Sequence, residues 1–563
     1  MHDLIIEQGN VVDGSGTPAR IVDIAVNDGI VTELGRNLGQ ARRKINAEGS
    51  LVTPGFVDVH THYDGQATWD PYLTPSSWHG VTTAVFGNCG VGFAPVRPKQ
   101  SPYLINLMEG VEGIPGSVLA EGVSFNWESF PQFLDVLDAA PKAVDIGAQV
   151  PHAPLRFYVM GERGADHTSK PTDDEITAMG GLLEEALKAG ALGFTTSRTT
   201  KHLTRDGRNT PSLSAGEAEL KGLALAMKRA GRGVLEVNSD FGPGEFEILR
   251  MASELSSRPL SILLLQVNNA PELWRKTRQQ VHEARAAGLR TNAQVGCRPI
   301  VIMMGLETTT NPFSTHPAWK EMTNLSPTQR FERLKHDSAL RSVLVTQMPD
   351  DEHARRVSEW MPRTYIVDEE FDYEPANERS IGSMAAATGR SVWDIALEAM
   401  MSNQGKRLLA HTFENYSEGS LDVVREMLLD EATIMGLGDG GAHVCTVCDE
   451  GAPTYLLSHW ARDRKRGELL PLEFLVKKHT LDSAMGYGLS DRGLLAPGYR
   501  ADINIIDFDR LRLREAEVVY DLPAGGKRLM QRADGYLHTF VAGTEIVCND
   551  EHTGALPGRL LRS

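Results

Sequence analysis

The first fifty residues of the chain carry short apolar runs that are separated by turn residues. Residues 4–6 and 21–26 are two such runs, and the Asn-Asp-Gly sequence at 27–29 is typical of a tight β-hairpin turn. The same alternation of apolar and polar positions returns near the carboxyl end, most clearly at 501–506 and 539–547. Because β structure occurs at both ends of the chain, we predict one composite β domain that is built from the two termini.

Between these ends, apolar strands alternate with amphipathic helices, most regularly over residues 173–300. One helix is capped by Asp173 and Asp174, has apolar positions three and four residues apart, ends at Gly190 and precedes the apolar run 192–196. The same unit recurs three times before residue 300. Strands that are joined by such helices predict parallel βα units, and the pattern fits a closed barrel and an open sheet equally well.

The regular alternation of strands and helices is interrupted at about residues 300–425, where prolines precede charged helical stretches. We interpret this region as a long insertion in the α/β core, and insertions of this kind often form lids. The predicted organisation is a β domain of residues 1–53 and 491–563, and an α/β core of residues 54–490 that carries the insertion or lid. No low-complexity segment and no solenoid repeat occurs in the sequence.

Composition narrows the classes of function. The 563-residue chain has 74 acidic and 57 basic side chains, a formal net charge of −17 and no local basic patch. Such a charge repels nucleic acid and anionic lipid, so neither is expected as a partner. Five scattered cysteines fit a reducing compartment, and the sequence shows neither a signal peptide nor an apolar run of about 18 residues. We expect a cytoplasmic protein without membrane association, and homo-oligomerisation remains open.

The first candidate for chemistry is the pair His60 and His62, which follows the apolar run 56–59. Side chains two residues apart on a strand share a face, so the two imidazoles point in one direction, as a divalent metal requires. Two histidines at this spacing that only hydrogen-bond locally would give the same triplet. The spacing therefore favours a metal site without establishing it.

The surrounding motifs resemble those of a known family. Gly-Phe-Val-Asp-Val-His-Thr-His at 55–62 resembles the first barrel strand of the amidohydrolase superfamily. Three further segments look like its N-acyl-D-amino-acid deacylase (D-aminoacylase) branch: 78–90, which contains Trp-His-Gly-Val-Thr-Thr and Gly-Asn-Cys-Gly, 438–443, which reads Gly-Asp-Gly-Gly-Ala-His, and 495–502. The resemblance spans nearly the whole chain and implies a TIM (β/α)8 barrel over residues 54–490, with a small β-sandwich domain from both termini.

The resemblance also assigns roles. His60 and His62 match the family's paired metal ligands, Cys89 matches a cysteine that contributes a thiolate ligand, and Asp439 matches the aspartate at the end of the eighth strand. A carboxylate there, beside the metal, can take the proton of the attacking water and pass it to the departing amine. Asp439 could instead be a turn residue, but its neighbours match the family, which favours the catalytic role. Cys89 suits a small buried apolar position nearly as well as a ligand.

Two departures from the family bear on the metal count. The family usually carries one histidine on the fifth strand and another on the sixth, whereas the matching stretches here contain Asn238 and Gln266. Amides are poor zinc ligands compared with imidazoles, so we expect one zinc ion and no tight second site. The two amides are instead expected to form hydrogen bonds with the substrate.

Four further residues are candidates for substrate binding because they lie near predicted strand ends: Arg198, Arg298, His152 and His443. Either arginine could clamp a substrate carboxylate, and either could instead form a salt bridge. The resemblance implies a metal-dependent amidohydrolase that cleaves a non-peptide C–N bond in a small-molecule amide, foremost an N-acyl-D-amino acid. The alternatives are the hydrolysis of a cyclic or secondary-metabolite amide and a non-catalytic binding protein. The sequence does not specify the acyl group, the side chain or the stereochemistry.

Overall fold

A computed structural model describes residues 1–369 and 371–563, and it has mixed α/β content. Its strands, numbered β1 to β25 in chain order, are His2–Val11, Arg20–Asn27, Ile30–Gly35, Ala41–Asn46, Leu51–Pro54, Phe56–Asp58, Val81–Phe86, Asp145–Ala148, Val150–Pro151, Gly193–Arg198, Val234–Ser239, Leu260–Leu263, Thr291–Val295, Ile300–Met304, Thr364–Val367, Leu408–Glu414, Thr433–Met435, Ile503–Ile506, Arg512–Leu513, Glu517–Leu522, Gly526–Met530, Ala533–Asp534, Tyr536–Val541, Thr544–Cys548 and Glu551–His552.

The α-helices, numbered α1 to α18, are Ser101–Val111, Gly116–Gly122, Phe130–Ala139, His152–Met160, Asp173–Ala189, Glu217–Ala230, Glu245–Ser256, Leu273–Ala286, Pro317–Lys320, Pro327–His336, Ser338–Thr346, Glu352–Trp360, Ile381–Thr388, Val392–Gly405, Asp422–Leu429, Ala452–Ser458, Leu472–Lys477 and Ser483–Gly486. Among the described residues, none of these helices combines the length and the apolar character needed to cross a membrane.

Strands from both ends of the chain share one nine-stranded sheet. Its order is β25-β24-β23-β18-β5-β1-β2-β3, with β4 paired to β1. The two ends meet where β5 pairs antiparallel with β18, with Pro54 opposite Ile503. The predicted hairpin turn at 27–29 is confirmed, because Asn27 pairs with Ile30 and both Asp28 and Gly29 adopt positive φ. Buried side chains of β1, β2, β18 and β23 form the core of this sheet.

Two parallel sheets make up the α/β core, in the orders β6-β7-β8 and β17-β13-β12-β11-β10-β9. Strands β8 and β9 are separated by Gln149 alone. The segments that follow β17 and β6 also meet, because the backbone N–H of Asp439 donates to the carbonyl of His60 at 3.0 Å. The strand residues are almost all buried, as expected for parallel strands that are covered by helices.

The predicted parallel βα units over residues 173–300 are confirmed, because β10, β11, β12 and β13 pair in parallel. The helix before β10 shows how the sequence specifies such a unit. Thr172, rather than the predicted Asp173 or Asp174, is its N-cap and forms a capping box with Glu175, because its hydroxyl accepts from the Glu175 N–H. Gly190 ends the helix with a positive φ of 116°.

The region predicted as an insertion begins at β14 and returns to the core after β16, which ends at Glu414. Strands β14, β16 and β15 form a separate antiparallel sheet, and helices α9 to α14 lie between its strands in sequence. The helices have their own apolar core, which includes Phe313, Trp319, Leu334 and Met400. The predicted end near residue 425 is too late, because α15 already packs against β17 of the parallel core.

A buried carboxylate connects this region to the helices that follow the core. Glu374 accepts hydrogen bonds from the Arg464 guanidinium at 3.0 Å, from the His459 imidazole at 3.1 Å and from the Leu421 N–H at 2.8 Å. Burial alone would raise the pKa of Glu374, but these partners lower it to about 2. Because the carboxylate is favoured in the folded state, it stabilises the fold above the unfolded pKa of about 4.5.

Glu374→Gln should therefore lower the free energy of unfolding at pH 7 by about 3 kcal/mol. The difference between this variant and the parent should shrink as the pH falls below about 4.5, because the unfolded carboxylate then takes up a proton. Urea unfolding at a series of pH values measures it, with the exposed neighbour Glu378→Gln as the control. A difference that stays constant from pH 7 to pH 3 would show that Glu374 does not stabilise the fold through its charge.

Candidate active site

Three segments that follow parallel strands bring the candidate ligands together. His60 and His62 come directly after β6, Cys89 lies in the turn after β7, and Asp439 lies in the loop after β17. Asp439 has a positive φ of 47°, which an aspartate tolerates better than most residues. The glycine before it is required by space, since a Cβ at Gly438 would lie 2.0 Å from a carboxylate oxygen of Asp58.

The ligand atoms of His60, His62 and Cys89 all lie within 4.8 Å of one another, and all three side chains are buried. The Cys89 Sγ is 3.5 Å from the His60 Nε2. The Asp439 Oδ1 is 3.5 Å from the His60 Nε2 and 3.7 Å from the His62 Nε2. The structure thus brings all four sequence-predicted ligands to one point, with two nitrogens, one sulfur and one oxygen directed at it.

The outer nitrogens of both imidazoles face polar partners. The His60 Nδ1 lies 2.7 Å from the Gln294 Oε1, and the Gln294 amide group in turn donates to Ser261 and Tyr487. The His62 Nδ1 lies 3.1 Å from the Glu112 carboxylate. The acceptor at the His60 Nδ1 holds the proton there and leaves the lone pair of the His60 Nε2 directed inward, as metal-binding histidines require. The His62–Glu112 contact is a close charge contact without a hydrogen bond. Sequence analysis identified neither Gln294 nor Glu112.

The electrostatics of the site suit a cation. Burial raises the pKa of Asp58 to about 7 and the pKa of Glu236 to about 8. Burial opposes a charged imidazole, yet the neighbouring carboxylates of Glu112 and Asp439 raise the pKa of His62 above its usual value. Both Glu112 oxygens are buried without a hydrogen bond. A divalent cation beside these groups would offset the cost of so many buried carboxylates, so the donor set fits a metal ion.

A cavity of about 250 Å³ opens beside this cluster. Its polar lining consists of the four candidate ligands and of Glu112, Lys201, His202, Asn238, Glu414, His443, Thr446 and Asp449. Its apolar lining is contributed by the core and by the sheet of the insertion: Val111, Leu263, Leu265, Ile300, Ile302, Phe413, Leu437 and Val447. The cavity therefore combines apolar side chains with a point where candidate metal ligands converge.

Two of the six residues predicted to bind substrate line this cavity, namely Asn238 and His443. The Asn238 amide nitrogen lies 3.5 Å from the Cys89 Sγ and 3.4 Å from the His202 Nε2. Asn238 therefore stands between the thiol and a second imidazole. Sequence analysis did not identify His202. Its place four residues after β10 does indicate a position near the strand ends.

The two predicted arginines do not line the cavity. Arg198 donates to the Glu245 carboxylate and to the carbonyl of Ala215. Arg298 is buried, lies 2.9 Å from the Asp449 carboxylate and also donates to a backbone carbonyl. Both guanidinium groups are thus held by groups of the protein itself, which corrects the prediction that one of them clamps a substrate carboxylate.

His152 and Gln266 also lie outside the cavity lining. The buried His152 imidazole contacts the Glu219 carboxylate at 3.0 Å and the Thr196 hydroxyl at 2.9 Å. The Gln266 side chain accepts from the Ser417 N–H and so binds the loop after β16. Gln266 lies three residues after the end of β12 at Leu263, and it does not line the cavity. The structure thus differs from the predicted alignment, which placed Gln266 at the site.

Comparisons with known proteins indicate the family and the fold of the chain. A model described as "Amidohydrolase family" matches residues 43–547. The chain is similar to the D-aminoacylase of Alcaligenes xylosoxydans xylosoxydans, with 27% identity over 99% of this chain and 97% of that protein. Its fold is similar to that of a Bordetella bronchiseptica N-acyl-D-glutamate deacylase complexed with zinc and a phosphonate inhibitor, at 23% identity, a TM-score of 0.66 and 100% of each chain. A D-aminoacylase structure that concerns that enzyme's binuclear metal centre gives 24% identity, the same TM-score and the same coverage.

Proposed function

The chain belongs to the amidohydrolase family, and on this basis we propose that it is a metal-dependent hydrolase of N-acylated amino acids, foremost of N-acyl-D-amino acids. The observation that carries the proposal is the convergence of His60, His62, Cys89 and Asp439 in a cavity that is lined by both polar and apolar side chains. Retention of this whole set argues against a binding protein without catalytic activity.

We also infer the domain organisation of the family for this chain. The parallel strands from β6 to β17 would form a (β/α)8 barrel over residues 54–490, interrupted by the insertion that runs from β14 to β16. Residues 1–53 and 491–563 would form the β-sandwich domain. The active site would then lie at the carboxyl ends of the barrel strands, where enzymes of this architecture carry their chemistry.

One zinc ion is the expected cofactor, held by His60, His62, Cys89 and Asp439, because zinc favours mixed nitrogen, sulfur and oxygen ligands. When bound, the ion would supply Lewis acidity at the amide carbonyl and lower the pKa of the attacking water. The Asn238 amide, which matches the family's histidine on the fifth strand, lies between Cys89 and His202 and is a poor zinc ligand. This arrangement supports a count of one ion at the cavity.

The remaining chemistry falls to side chains of the cavity. The Asp439 carboxylate accepts the proton of the attacking water and delivers it to the nitrogen of the departing amine. Asn238 and His443, which line the same end of the cavity, are in reach to hydrogen-bond the substrate amide. The Lys201 ammonium lines the cavity, where Glu414 holds it, and would attract the substrate carboxylate. The apolar walls would receive an acyl chain or an apolar side chain.

Hydrolysis assays with the zinc-loaded protein test this proposal. The panel consists of N-acyl-D-amino acids, their L enantiomers, and cyclic amides, and the readout is the release of a carboxylate together with a free amine. We expect the fastest turnover with N-acyl-D-amino acids that carry apolar groups. Faster turnover of cyclic amides would redirect the assignment to cyclic or secondary-metabolite amides, and no turnover of any amide would refute it.

The apolar wall gives a prediction about selectivity. Phe413→Ala should lower the preference for long over short acyl groups by about tenfold or more, because the acyl chain loses the ring against which it is buried. The ratio of kcat/KM for the two substrates measures this preference. Phe508→Ala is the matched control, since the Phe508 ring packs under Arg462 and does not line the cavity. An unchanged ratio would mean that the acyl group binds elsewhere.

A further inference from the structure

A second group of metal-binding side chains lies in the terminal sheet, away from the cavity. His538 on β23 is paired across the ladder with Cys548 on β24. The pairing skips one residue of β24, so that Thr539 faces Val547 and Phe540 faces Glu545. This irregularity brings Glu545 to the same side of the hairpin as Cys548, which lies three residues later on β24.

The ligand atoms of His538, Glu545 and Cys548 lie within 4.8 Å of one another. The His538 Nδ1 is 2.5 Å from the Glu545 Oε1, while the other Glu545 oxygen accepts from the Arg43 guanidinium of β4 at 2.8 Å. Arg43 therefore fixes the carboxylate and leaves one oxygen directed at the imidazole. Supporting contacts of this kind are typical of carboxylates that bind metals.

The donor set is chemically selective. It offers one imidazole nitrogen, one carboxylate oxygen and one sulfur, a mixture that suits zinc with a water as the fourth ligand. A thiolate and a carboxylate together would neutralise the charge of a divalent ion. Among the cysteines that the structure describes, Cys548 alone is half-buried and the others are buried, so an ion can reach it from solvent.

We propose that His538, Glu545 and Cys548 form a second zinc site, which ties β23 to β24 and, through Arg43, to β4. Ligation releases the thiol proton of Cys548 to solvent and moves the imidazole proton of His538 from Nδ1 to Nε2. The site shares no residue with the cluster at the cavity, so zinc bound here stabilises the terminal sheet and takes no part in hydrolysis.

The accessible thiol provides the test. With the full-length protein, zinc should slow the alkylation of Cys548 by iodoacetamide about tenfold or more, because the ligated thiolate is withdrawn from reaction. Mass spectrometry of the peptide that contains Cys548 measures the rate of alkylation. His538→Ala and Glu545→Gln should each abolish this protection. His552→Ala is the control and should keep it, because the His552 ring stacks on Tyr72 outside the cluster.

Zinc stoichiometry provides a second, independent measurement. At saturating zinc, Cys548→Ser should hold one ion fewer per chain than the parent protein, with unchanged amide hydrolysis. Alkylation that zinc leaves unchanged would overturn the proposal. Protection that survives in both His538→Ala and Glu545→Gln would overturn it as well, since the thiol would then bind zinc without the other two ligands. Neither result bears on the function of the cavity.

Discussion

Replacing His60 and His62 together by alanine should remove the zinc ion at the cavity and lower amide hydrolysis by about 1000-fold or more. Both imidazoles direct an Nε2 toward Asp439, so the double substitution deletes two of the four proposed ligands at once. The remaining thiol and carboxylate are too few to hold a zinc ion tightly. Elemental analysis after dialysis and the rate of amine release measure the two effects.

The matched control for this pair is His167→Ala. His167 is half-buried and contacts only the Ser214 hydroxyl among the hydrogen bonds of its side chain in the described structure. It should leave both the metal content of the cavity site and the turnover unchanged. If the double variant keeps its hydrolytic activity while the cavity site holds no metal, the proposed metal-dependent chemistry is wrong.

Much of the fold follows from local sequence patterns. The parallel units over residues 173–300 were predictable because each helix has an apolar face and a clear end, such as Gly190. The hairpin at 27–29 was predictable because Asp28 and Gly29 accept the positive φ of its turn. The end of the insertion was not predictable, because α15 is an ordinary amphipathic helix whose packing against β17 depends on the tertiary fold.

The convergence of the candidate ligands was predictable from the strand order together with the family resemblance. His60, His62 and Cys89 each follow a parallel strand, and the carboxyl ends of parallel strands meet at one edge of a sheet. The roles of Arg198 and Arg298 were not predictable. A strand end fixes the backbone position of an arginine, but it does not determine which carboxylate the guanidinium group pairs with. Their ion pairs join residues 47 and 151 positions apart in sequence.

Two of the residues that sequence analysis missed lie outside the strands that carry the site. Glu112 comes directly after the last turn of α1, and His202 lies in the segment beyond β10. Both line the cavity, and the position of Glu112 behind a helix gives no local signal for this. Gln294 lies on β13, but sequence alone does not show that its amide faces the His60 imidazole.

Asp439→Asn is expected to lower turnover by about 100-fold or more while the protein stays folded and keeps its zinc ion. The asparagine preserves the size of the side chain, retains one oxygen near the two imidazoles and tolerates the positive φ of 47° at this position. It cannot take a proton from the attacking water. Loss of proton transfer lowers kcat, whereas loss of substrate binding would raise KM.

The control for Asp439 is another aspartate near the strand ends. The Asp240 carboxylate accepts from the Thr199 and Thr200 side chains and does not line the cavity, so Asp240→Asn should leave kcat almost unchanged. If Asp439→Asn instead keeps near-normal turnover, the proton must be taken by a different carboxylate. Asp449 would then be the next candidate, because it lines the same cavity and its pKa is raised to about 6 by burial, which suits a group that exchanges protons near neutral pH.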